Sequence, residues 1–79
     1  MKEPPITPEI AEAFARAAMA VKPGSGVQRA FAVAWLPAEF RDKATWTHQK
    51  ETAEMLLSVL VGAGVYAKGA NMFYRKDAQ

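Results

Sequence analysis

Few residue types in this chain could do covalent chemistry. There is one histidine, His48, and no cysteine. Ser25 and Ser58 sit in no local nucleophile motif, so neither a Ser–His–Asp constellation nor a His/Cys metal cluster can be assembled within one chain. Glu51 and Glu54 lie one helical turn apart, the spacing of a solvated face. Paired-carboxylate acid–base work needs a pocket that so small a chain rarely builds. His48 reads as a surface or turn residue near a helix start. Two glycine patterns are turns: Gly62-x-Gly64-x-x-Ala67 follows a helix and precedes a β-prone run, the reverse of a dinucleotide fingerprint. Lys22-Pro23-Gly24-Ser25-Gly26 lacks the spacing and terminal Lys-Ser/Thr of a phosphate loop. What remains is the chemistry of binding. Tyr66 and Phe73 beside Lys68 and Arg75 have the types of a base-stacking platform, or they pack on the protein's own helix. Met55 beside Ser58 and Gly62 would let a partner approach closely, or is an ordinary exposed methionine. The expectation is a protein that is not an enzyme and needs no metal or cofactor.

Composition sets the scale of the elements that position these residues. The chain has 79 residues, 51% hydrophobic and 23% charged, apolar enough for one core and too short for two. A chain of this size buries only about 60% of its unfolded surface, so a dimer would add stability. The net charge of +2 is spread as neutral over residues 1–26 and +1 over each of 27–47 and 48–79. Phosphate neutralisation supplies most non-specific nucleic-acid affinity, so this balance permits such binding without arguing for it. The uncharged run Met55–Ala67 is shorter than the roughly 20 residues a membrane span needs. MKEPPITPE carries acids and prolines where an export signal has a basic start and an apolar stretch. With no cysteine, a cytoplasmic protein without a membrane partner is expected.

Thr7 can cap a helix that has Pro8 at its first position and Glu9 at the positive dipole end. Ile10, Phe14, Ala17, Ala18 and Val21 recur at helical spacing over residues 8–21, and Glu12 and Arg16 can pair on the other side. VQRAFAVAWL, Val27–Leu36, is ambiguous. Its alanines favour a helix, with Ser25 and Gln28 at capping-box spacing, while the alternation of Phe31, Val33 and Trp35 favours a strand. PAEFRDKA reads as a short helix of about two turns with Pro37 near its N-terminus. Thr45 or Thr47 can cap a main helix over residues 48–61, with Ala53, Leu56, Leu57 and Leu60 buried and Val61 at the edge. Gly62 and Gly64 end it. Two β-prone runs then flank Lys68–Asn71. With Gly69 and Ala70 as central turn residues of type II′, Tyr66 faces Phe73 and Val65 faces Tyr74.

The stretch ETAEMLLSVLVGAGVYAKG, Glu51–Gly69, runs a helix through an Ala-Gly-aliphatic turn into a two-stranded ribbon, with Thr52, Leu57, Leu60, Ala63, Gly64 and Val65 carrying the pattern. It resembles the winged helix-turn-helix family. The resemblance implies a mainly α fold with a C-terminal β-hairpin (α+β). Residues 8–21 would be the first helix, 27–36 a short strand or added helix, and PAEFRDKA the helix preceding the recognition helix. The recognition helix would enter the major groove of double-stranded DNA and the wing would touch the backbone or minor groove. Thr47, His48, Gln49 and Lys50 would stand at the helix start, where Gln pairs with adenine edges and Lys with guanine or phosphate. Lys68, Asn71, Arg75 and Lys76 would supply phosphate contacts from the wing. The implied role is a small DNA-binding transcription regulator, as a dimer.

Plotted at about 100° per residue, the same helix turns Glu51, Glu54, Met55, Ser58 and Gly62 outward. Two carboxylates there are unfavourable opposite phosphate. This gives a second expectation: a protein-binding module or inhibitor, of the phage or mobile-element kind, that sets this face together with Tyr66 and Phe73 against a host or partner protein complex. Both readings place a single domain over residues 8–76 between a flexible N-terminus, 1–7, and a tail, 77–79.

Overall fold

A computed structural model describes residues 4–76. The tail 77–79 and the first three residues of the expected N-terminal segment lie outside the described residues. Helix α1, Pro8–Met19, is capped by Thr7, whose Oγ1 accepts the Ile10 N–H at 3.3 Å. Phe14 and Ala18 form its buried line. It ends two residues earlier than its spacing predicts. The N–H groups of Ala20 and Val21 bond to Ala17 and Ala18, which tightens the last turn ahead of Pro23.

The ambiguous segment holds both structures. Gly26–Val27 form strand β1, Arg29–Ala32 form helix α2, and Val33–Trp35 continue as a 3₁₀ turn. Ser25 does not cap α2. The cap position belongs to Gln28, which makes no side-chain bond, and the Ser25 carbonyl accepts the Arg75 N–H at 2.9 Å. Strand pairing thus holds Ser25 extended, away from α2. PAEFRDKA yields one turn, α3, Ala38–Arg41, behind Pro37. Helix α4, Trp46–Gly62, is capped by Thr45, whose Oγ1 accepts the His48 N–H at 3.1 Å, while Thr47 lies inside the first turn. Thr52, Ala53, Leu56, Leu57 and Leu60 are buried along α4. Beyond its end the Gly64 N–H bonds to Val61 O at 3.1 Å and the Val65 N–H to Leu60 O at 2.9 Å. This Schellman arrangement needs a left-handed residue, and Gly64 supplies it with φ +82°.

Strands β2, Tyr66–Lys68, and β3, Phe73–Arg75, pair antiparallel, and β3 also pairs with β1, giving the order β1-β3-β2. The hairpin register differs from the expected one by two residues. Tyr66 pairs with Arg75 and Lys68 with Phe73 around a four-residue loop, Gly69–Met72, in which the Gly69 N–H bonds to Met72 O at 2.7 Å. A type II′ turn needs positive φ at its first central residue, and the only such glycines among the described residues are Gly24 and Gly64. A shift of two keeps every side chain on its face, so Tyr66 and Phe73 still share one. The third strand sets the register, because Val27 pairs with Phe73 and both are buried.

Val27, Tyr66 and Phe73 close one core with Phe14 and Ala18 of α1 and the buried line of α4. Trp35 stands edge-on to Phe14 at 5.4 Å. The Tyr66 hydroxyl donates to Ala18 O at 2.8 Å, tying sheet to helix. Tyr66 and Phe73 are 1% and 5% exposed. That corrects the expectations that they form a stacking platform or a partner surface. Among the described residues no helix is long and apolar enough to cross a membrane.

Candidate functional site

One side of α4 looks across an open groove of about 490 Å³ toward the hairpin loop. Lys50 and Glu54, a turn apart, line the helix side, Lys68 and Asn71 the loop side, and Arg29 of the first turn of α2 closes the end. Arg29 Nη1 donates to Glu54 Oε1 at 2.7 Å. Both side chains are partly exposed, at 50% and 37%, so the pair adds little to stability. Its importance is positional. Lys50 Nζ lies 5.4 Å from the Trp46 ring centroid and Lys68 Nζ 6.0 Å from that of Phe73. These aromatic faces steady two ammonium groups without consuming their charge. Three cations therefore face one carboxylate, beside an exposed amide. Such a groove can take a phosphate backbone, because ammonium and guanidinium groups donate to its oxygens and displace its counterions.

Lys50, Lys68 and Asn71 are thus brought together around one groove, whereas other residues of the expected nucleic-acid set go elsewhere. Thr47 is exposed on the first turn of α4. His48 turns its ring toward Phe40, 5.7 Å between centroids. Gln49 turns inward, its Nε2 donating to Arg41 O at 3.1 Å and Ala44 O at 2.8 Å. Arg75 and Lys76 lie at the opposite end of the hairpin from the loop. Arg75 Nη1 donates to Lys76 O at 2.8 Å, and Nη2 reaches Met19 O at 3.4 Å. Gln49 and Arg75 leave the expected binding surface for the same reason. Met19 and Arg41 are the last residues of α1 and α3, and carbonyls at helix ends need donors from outside the helix.

The partner surface of the second expectation is divided. Glu51, Met55, Ser58 and Gly62 are exposed, while Glu54 is engaged with Arg29. Ser58 Oγ donates back to Glu54 O at 2.9 Å. Val59, 63% exposed, was not singled out; it borders a smaller apolar groove against Ala11 and Ala15 of α1.

Arg29 also escaped the sequence reading. Its partner is 25 residues away, and no local pattern marks such a pair. The nearest signal was the strand-like start of VQRAF, which puts Arg29 just after a strand end and beside the hairpin. Among the described residues no group of three or more His, Cys, Asp or Glu side chains is placed to hold a metal ion. No family model, curated protein or solved structure matches the chain.

Proposed function

We propose that this chain is a small winged-helix protein that binds double-stranded DNA, with α4 as the recognition helix and the β2–β3 loop as the wing. The role that follows is that of a non-enzymatic, cytoplasmic transcription regulator. The observation that carries the reading is the groove itself, in which Lys50 of α4, Lys68 of the hairpin and Arg29 of α2 converge from three elements. The fold adds support: a helix, a short strand, further helices and a hairpin form the sheet order β1-β3-β2. That is the arrangement in which a hairpin loop flanks a helix presented to a groove. Of the two carboxylates that counted against DNA, Glu54 is paired with Arg29 and Glu51 does not line the groove.

The test is fluorescence anisotropy of a labelled mixed-sequence duplex titrated with the protein at low and at near-physiological salt. Binding that weakens steeply with salt is expected, since each neutralised phosphate contributes a slope of about −0.9 in log K against log salt. No binding even at low salt would overturn the reading.

A second reading is favoured by one observation of its own. Met55 and Val59, 46% and 63% exposed, lie on α4 outside the cationic groove. Exposed methionine adapts to partner surfaces, so this face suits a protein partner or a second copy. Under this reading Met55→Glu abolishes the complex and leaves the circular dichroism spectrum unchanged.

A further inference from the structure

We propose that Glu54, held by Arg29, is the base-reading residue of the groove and the element that suppresses indiscriminate DNA binding; the inference rests on the nucleic-acid reading given above. A carboxylate among cations would merely weaken a site whose only task were to grip phosphate. Here it has a defined position. The Arg29–Glu54 bond uses one guanidinium nitrogen and one carboxylate oxygen. A guanidinium has five N–H donors and a carboxylate two acceptor oxygens. Arg29 therefore keeps donors for a phosphate while it holds Glu54, and Glu54 keeps an acceptor for a base edge.

The surroundings decide what that acceptor can do. Glu54 stands one turn beyond Lys50 on the side of α4 that lines the groove, opposite the Lys68–Met72 arm. An oligonucleotide backbone held by Lys50 and Lys68 would bring its bases to the helix between them. A carboxylate on a helix in the major groove accepts from the cytosine N4 amino group. Opposite guanine or thymine it meets only acceptors or a methyl group and repels, and adenine offers its N6 amino donor only beside the N7 acceptor, which repels a carboxylate. The same negative charge lowers the attraction for arbitrary phosphate positions. Gln28 and Asn71, the neutral amides nearby, do not compensate it.

The experiment compares the wild-type protein with Glu54→Gln, an isosteric exchange at a partly exposed position that leaves the fold intact by circular dichroism. Two readouts are taken: anisotropy of a labelled mixed-sequence duplex across a salt series, and sequencing of a randomised duplex pool retained by each protein. The expected result is that Glu54→Gln binds the mixed-sequence duplex at least threefold more tightly near physiological salt. Its salt slope steepens by up to about 0.9, because the net charge of the groove rises by one when the carboxylate beside Arg29 is lost. In the pool, the wild type enriches cytosine at one position, and the variant replaces it with adenine, which glutamine reads. Equal affinity and slope, or the same base enriched by both proteins, overturns the inference while leaving the DNA-binding reading in place. If neither protein binds any duplex at low salt, the functional reading falls as well.

Discussion

Gln49 and Lys50 are neighbours in sequence with opposite fates, and that contrast is testable at the level of single side chains. Gln49 donates to two backbone carbonyls at the α3–α4 connection. Gln49→Ala leaves them short of donors and costs about 1–2 kcal/mol of stability, measured by urea denaturation, with the salt slope of DNA binding unchanged. Lys50→Ala does the reverse: stability holds, and the slope becomes shallower by about 0.9. Tyr66 gives a third reading at this scale. Burial pushes its hydroxyl above the ordinary value of 10.0, more than the nearby Arg75 cation lowers it. The folded state therefore holds the proton more tightly than the unfolded one. Its contribution is complete below pH 10 and is lost as pH rises through the folded pKa. Urea midpoints should fall as the pH rises above 10 in the wild type and fall less in Tyr66→Phe. The phenylalanine variant should be weaker by about 1 kcal/mol at pH 8, where the bond to Ala18 O is missing.

At the scale of elements, two glycines at the end of α4 should respond to alanine with opposite signs. Gly62 closes the helix with ordinary φ, Gly64 follows it at φ +82°, and an added Cβ meets no atom within 4 Å at either. Only the backbone preference differs. Gly62→Ala should stabilise by about 0.5 kcal/mol through helix propensity and a less free unfolded chain. Gly64→Ala should destabilise by roughly 1–2 kcal/mol, because a side chain is forced into the left-handed region. At 4–8 °C per kcal/mol for a domain of about this size, thermal melts resolve both. The signals behind α1 and α4 were local, a cap at one end and an apolar line between, and these two helices were legible to within about two residues of their ends. Strand β1 was not legible as such, since two residues between loops have no periodicity. The hairpin register followed it into error, because Val27 is what aligns Phe73. The site was legible where polar side chains border the open groove, as the cations Lys50 and Lys68 and the amide of Asn71 do. It was not legible where a helix end elsewhere in the fold claimed the donor, as for Gln49 and Arg75, or where a cation met a distant carboxylate, as for Arg29.

At the scale of the whole molecule, a chain of 79 residues with Phe31, Trp46, Met55 and Val59 each about half exposed or more keeps a narrow margin of stability. A narrow margin makes ligand binding easy to read. The groove exists only when α2, α4 and the hairpin are folded together, because Arg29, Lys50 and Lys68 come from those three elements. A duplex that occupies it therefore binds the native state alone in that geometry. At a duplex concentration one hundred times its dissociation constant, the native state gains about 2.7 kcal/mol. For a domain of this size that corresponds to a rise of roughly 10–20 °C in melting temperature. Tryptophan fluorescence follows it without interference from nucleic-acid absorbance if excited near the red edge. Trp35 packs edge-on to Phe14 at the margin of the core, and Trp46 lies beside Lys50. The rise should shrink as salt is added, as counterion release fades, and should be smaller in Lys50→Ala and Lys68→Ala at the same duplex concentration. A protein that uses the Met55–Val59 face for a partner behaves differently. Its melting temperature is indifferent to duplex DNA at low salt and rises with its own concentration if the partner is a second copy. The two series of melts therefore separate a groove that binds nucleic acid from a face that binds protein.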